Sequence, residues 1–170
     1  MKLLFTTGAL ALLVLGHAIA APPARPETAP TIATLAGSWT LVSADVLHPD
    51  GSLSRDYGAS PKGLMLIDSH GRYAAQIYKS ERPAFASPDK QNATADELRA
   101  AVLGSSCHFG TLEVDPASPS LIYHIDGSAF PNWEGTRQVR RFELHGDELS
   151  YRVPPRPDGN VPVTTWRRLK

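Results

Sequence analysis

From Leu35 to the carboxyl terminus the chain alternates short apolar runs with clusters of Gly, Asp and Pro. Runs of this length with period-two alternation predict strands, and the clusters between them predict turns. Eight strands are expected, at Ser38–Leu47, Gly63–Ile67, Arg72–Tyr78, Cys107–Val114, Leu121–Gly127, Thr136–Leu144, Glu148–Val153 and Val161–Leu169. Asp50-Gly51, the stretch 68–71, the stretch 115–119 and Gly146-Asp147 supply residues that tolerate tight or left-handed backbone. One helix interrupts the series. Thr94-Ala95-Asp96-Glu97 forms a capping box before Leu98 to Leu103, and Gly104 is its natural stop. An eight-stranded antiparallel meander is most economically closed as an all-β up-and-down barrel, because closure removes exposed edges; a two-sheet sandwich is the alternative.

The amino terminus follows a different pattern. Lys2, an almost wholly apolar run from Leu3 to Gly16, and Ala18-Ile19-Ala20 make a secretory signal peptide over residues 1–20, cleaved after Ala20. The run is shorter than the roughly 20 residues a spanning helix needs, so no stable membrane insertion is expected after cleavage. Residues 21–34, interrupted by Pro22, Pro23, Pro26 and Pro30, read as an Ala/Pro-rich linker, and residues 35–170 as the folded domain. The expected location is periplasmic or secreted, and the expected state is a monomer.

Charge narrows the partners. Across 170 residues, 17 Lys+Arg balance 17 Asp+Glu. A neutral chain lacks the basic excess that phosphate neutralisation asks of a nucleic-acid binder, so no nucleic-acid partner is expected. Cys107 is the sole cysteine, which leaves no intramolecular disulfide and suits a small packed side chain better than a reactive thiol. The chain has no Gly-x-Ser-x-Gly elbow, no Walker loop and no paired-glycine fingerprint, and no cofactor is expected.

Hairpin arithmetic then proposes a site. With the turn after Val114 centred near Ala117, Gly110 falls opposite His124 and His108 opposite Asp126, and the 131–135 loop brings Gln138 and Arg140 alongside. One face would hold Leu112, Val114, Ile122, Phe142 and Leu144 at one end, and His108, His124, Asp126, Ser128, Gln138 and Arg140 at the other. An apolar floor beneath a polar cluster is how a pocket for an amphipathic molecule is built, so this face is placed inside. Gln76 and Tyr78 on an earlier strand join the ligand-binding candidates. The plainer alternative is an Asp126–Arg140 ion pair with His124 hydrogen-bonded in the barrel wall. Two imidazoles and a carboxylate could also hold a metal, but no close-spaced ligand motif supports that, and no metal is expected.

Residue strings across the same region carry a resemblance. Gly37-Ser38-Trp39 opens the first strand, and Gly127-Ser128-x-x-Pro131-Asn132-Trp133-x-Gly135-Thr136-x-Gln138-x-Arg140 comes later, followed by Leu144-x-Gly146-Asp147-x-Leu149. With Pro61-Lys62-Gly63-Leu64, Gly71-Arg72 and Arg82-Pro83, these resemble a bacterial and fungal lipocalin-like family, over essentially all of residues 35–170. The resemblance implies a small barrel with a ligand-sized cavity, and structural roles for Gly37, Trp39, Pro131, Asn132 and Trp133. It also implies a last-strand arginine laid over Trp39. Arg168 is chosen over Arg167 because it shares a strand face with Trp166.

Three functional readings follow. The first is an exported barrel binding a small hydrophobic or amphipathic molecule. The alternative is an enzyme of isomerase, cyclase or hydratase type acting on a hydrophobic, natural-product-like substrate. There His124 would be general acid/base, Asp126 would orient it, and Arg140 would stabilise an oxyanion. A further alternative is an envelope protein whose barrel is filled by its own side chains.

Overall fold

A computed structural model describes residues 30–170. The signal peptide and residues 21–29 of the expected linker lie outside the described residues. Nine strands form one antiparallel sheet: β1 (Gly37–Leu47), β2 (Leu53–Ser54), β3 (Lys62–Ile67), β4 (Arg72–Tyr78), β5 (Ser105–Val114), β6 (Ser120–Ser128), β7 (Arg137–His145), β8 (Glu148–Arg152) and β9 (Val161–Arg168). From β3 onward each strand pairs with the next, and β9 returns to pair with β1 from Leu47↔Val161 to Trp39↔Arg168. That last ladder closes an eight-stranded barrel. The two residues of β2 are an appendage on the end of β1, held by Val46↔Ser54 and Leu47↔Leu53. They are too short to produce an alternation and were not expected from the sequence.

Inside the barrel the alternation of β1 changes phase once. Trp39 and Leu41 point inward; a bulge between Leu41 and Ser43 then lets Ala44 and Val46 take the inner face. A bulge adds one residue to one strand and so re-aims every side chain beyond it. The result is a barrel with two unlike ends. Around the start of β1 the interior is packed solid with Trp39, Met65, Ile67, Leu112, Leu121, Leu149 and Trp166, all buried. Around its finish the interior is open.

The solid end has its own plug. Ile32–Leu35 forms one helical turn, α1, tied by Thr31 N–H to Thr34 Oγ1 and by Thr34 Oγ1–H to Thr31 O, at 2.9 and 2.7 Å. Leu35 is fully buried, and its carbonyl accepts the indole N–H of Trp39 at 2.9 Å. The tail of the expected linker therefore lies against the barrel base. Arg168 spans the same junction, 4.1 Å over the Trp39 ring, with its guanidinium donating to the carbonyls of Ala36 and Thr34. Gly37, at φ +135°, leaves room for this crossing, since a Cβ there would stand 3.0 Å from Arg168 Nη1.

The helix expected after Thr94 is α2 (Ala95–Leu103), and its capping box is formed in both directions. Its Glu97 also accepts from Ala86 N–H at 2.7 Å, which anchors the long β4–β5 connection. The α2 residues Leu98, Val102 and Leu103 stay exposed, and the helix contributes nothing to the interior. No helix among the described residues is long and apolar enough to cross a membrane.

Candidate functional site

The open end of the barrel contains a cavity of about 400 Å³. Its apolar wall includes Ala44, Val46, Ile77, Val153 and Pro162, from β1, β4, the end of β8 and β9. Tyr57 and Trp133 reach it from loops, while Asp45 and Arg156 supply one charge of each sign. On its inner side stand His108, Gln138, Arg140, Tyr151 and Thr164.

Each of these polar residues is placed by strand period. In β5, His108, Gly110 and Leu112 alternate inward; in β7, Gln138, Arg140, Phe142 and Leu144 do the same. Arg140 is only 2% exposed. Its guanidinium lies 4.1 Å from the centre of the Tyr123 ring and 5.2 Å from that of Tyr151, so two neighbouring aromatic rings contact the cation. Nη2 donates to Gln138 Oε1 at 2.8 Å, while the buried Nε–H has no partner. Among the described residues Arg140 belongs to no ion pair.

His108 is the second polar element. Tyr73 Oη and His108 Nδ1 share a hydrogen bond at 2.8 Å, and burial raises the phenol well above its ordinary range and keeps it protonated. Burial, with the Arg140 charge added, pushes the His108 imidazole down from 6.5 to about 3. It is neutral at physiological pH and leaves Arg140 as the one cation of the inner cluster. The rings of Tyr73, His108, Tyr123 and Trp133 pack edge to face, with centroids 4.9 to 5.9 Å apart.

The buried imidazole makes stability pH-dependent with a definite sign. In the unfolded chain His108 takes up a proton below about pH 6.5; in the folded chain it does so only near 3. Between those values the unfolded state binds more protons, so stability falls as pH drops, by up to about 1.4 kcal/mol per pH unit from this group. Urea unfolding of wild type and His108→Gln at pH 7 and pH 5 measures it. A smaller acid loss in the variant is expected; equal losses would assign the acid sensitivity to other groups.

The expected cluster forms only in part. His108, Gln138 and Arg140 meet inside as expected. His124 and Asp126 do not, because β6 is turned over relative to the predicted register. The β5–β6 connection pairs Val114 with Leu121, so Thr111 lies opposite His124 and Gly110 opposite Ile125. A second slip between Phe109 and Gly110 then sets His108 opposite Ser128, with Asp126 as the extra residue. A shift of one residue exchanges the two faces of a strand. Leu121, Tyr123 and Ile125 consequently fill the interior. His124 faces outward, 3.6 Å from Glu113, and Asp126 is exposed in an outer groove with Phe109 and Glu134. The Asp126–Arg140 pair of the plainer alternative is undone, as is the grouping of His108 with His124 and Asp126, since the members lie on opposite sides of the wall.

The remaining candidates also sort by face. Ser128 is half-buried at the strand end, its hydroxyl donating to Cys107 O at 3.3 Å. Gln76 is exposed on the outer face of β4, and Tyr78 lies outside with it, under the Arg82 guanidinium. Cys107 packs half-buried beside Tyr78 Oη at 3.6 Å. In the 131–135 loop, Pro131 opens a single 3₁₀ turn, Asn132 is exposed, and Trp133 reaches the cavity as well as shaping the loop. Sequence reasoning missed Tyr73, Tyr123 and Tyr151. The apolar set Leu121, Tyr123, Ile125 was itself an inward-facing alternation, and it outweighs a set containing His124 and Asp126.

A family model described as lipocalin-like domain matches residues 36–169. No curated protein matches, and no solved structure does.

Proposed function

The chain belongs to the lipocalin-like domain family, and from that premise we propose that it is an exported barrel that holds a small hydrophobic or amphipathic molecule in its open end. One observation carries the reading: a cavity of about 400 Å³, with an apolar wall and a cluster of polar groups, at the end of the barrel opposite α1. Pockets for small molecules share this size and this mixture of an apolar wall with a few converging polar groups. The same cavity speaks against a barrel filled by its own side chains. Export rests on the basic, apolar and small-residue pattern of residues 1–20, which directs the chain to a periplasmic or secreted location. The isomerase, cyclase or hydratase alternative loses its support, because its general base and orienting acid were His124 and Asp126. His108, the imidazole that does face the cavity, is too weak a base at neutral pH to take that role.

Titration with N-phenyl-1-naphthylamine, a neutral fluorescent probe, tests the reading. Saturable binding at one site per chain is expected, with a change in Trp133 emission that disappears in Trp133→Phe. Native mass spectrometry of protein purified gently from its host should show a stoichiometric passenger. A protein that is empty and also refuses the probe would refute the proposal.

A further inference from the structure

Among the described residues Arg140 is a cation without a counter-charge, in the most protected part of the open cavity. Burying a guanidinium costs several kcal/mol unless it is paired and its donors are satisfied. Tyr123 and Tyr151 offset part of that cost through their ring faces, and Gln138 takes one N–H. The buried Nε–H has no partner among the described residues, so part of the hydrogen-bonding edge of the guanidinium is unused. Planar two-oxygen acceptors match that edge, because they accept two parallel N–H bonds.

Charge counting selects among the acceptors. His108 is neutral, so the inner cluster holds a single positive charge. A phosphate dianion would leave net negative charge in a low-dielectric site, whereas a carboxylate balances Arg140 one to one. We infer that the ligand of this barrel is a monocarboxylate with an apolar body. Its carboxylate lies in the plane of the Arg140 guanidinium, and its hydrocarbon part runs along Ile77, Val46, Val153 and Pro162 toward the mouth. The inference rests on the binding reading above and adds the head group to it. Gln138 acts as a positioning residue, fixing the guanidinium through its Nη2.

Decanoate and decanol share a chain and differ only at the head, which makes them the test pair. Each is used at pH 8 to displace N-phenyl-1-naphthylamine from the purified protein. Decanoate is expected to displace it at concentrations roughly tenfold or more below those of decanol, the scale of one charge-assisted bidentate contact. In Arg140→Gln that preference should fall to within roughly threefold; Arg140→Lys should keep part of it. Equal competition by decanoate and decanol in the wild-type protein would overturn the carboxylate while leaving the cavity reading intact. A protein that binds neither competitor nor probe would overturn both. The wild-type ratio decides the question even where Arg140→Gln fails to fold.

Discussion

Gly110→Ala is expected to cost about 4 kcal/mol or more and to drive much of the protein into insoluble material. A Cβ on Gly110 would stand 2.0 Å from the carbonyl oxygen of His124 and 2.9 Å from the amide nitrogen of Asp126. Both are backbone atoms, so no rotamer change relieves the clash. Nor can β6 withdraw: Ile125, the residue paired with Gly110, also bonds the segment leading into β7 through Thr136 O and Gly135 N–H at 3.0 and 2.8 Å. Gly110 has φ +156°, and the β5–β6 slip occurs beside it. Its lack of a side chain is what lets the two strands close at the bulge. Gly127→Ala makes the comparison. Its Cβ would meet the Phe109 ring at 2.5 Å, but that ring is 56% exposed and free to swing aside, so a much smaller loss is expected. Urea unfolding followed by circular dichroism ranks the two. Near-wild-type stability of Gly110→Ala would mean that the strands do not approach as described.

Arg168→Gln is expected to cost about 3 kcal/mol, or roughly 10 °C in melting temperature for a domain of this size. The side chain combines a cation–π contact with Trp39, two charge-assisted hydrogen bonds to Ala36 and Thr34, and an Asp147 carboxylate 3.7 Å away. Glutamine removes the charge and most of the reach. Arg167→Gln is the control, because that neighbour has only an exposed pair with Glu148 at 3.4 Å, worth about 0.5 kcal/mol or less. Thermal melts of the two variants should separate clearly. Equal effects would show that the Arg168 bridge contributes nothing beyond an ordinary surface charge.

Most of the barrel was legible because period-two alternation survives wherever one face of a strand is buried. The eight long strands fall within a few residues of their predicted limits, and Thr94 with Glu97 marked α2 unambiguously. The choice of Arg168 over Arg167 also followed from strand period. What could not be read was register across a loop. Moving the centre of the 115–119 turn by half a residue reverses β6, and the bulge at Gly110 leaves no trace in composition beyond the glycine. The site was therefore legible on β5 and β7, where His108, Gln138 and Arg140 follow their own alternation, and illegible on β6. Ala44 and Val46 illustrate the same limit in β1, since only the bulge before Ser43 tells which of the later residues face inward. α1 escaped notice because one helical turn with no charged residue, flanked by Pro30, has too little length to show a period.

The ladder between the first and last strands also fixes when this protein can fold. β1 is the first described strand to be synthesised, and its partner β9 is the last. A nascent chain that has made everything except β9 is an open sheet with two unpaired edges, the form most prone to pair with its neighbours. Closure of the barrel thus waits until β9 has been made. A chain cut short before β9 would be an aggregating species rather than a slightly smaller barrel.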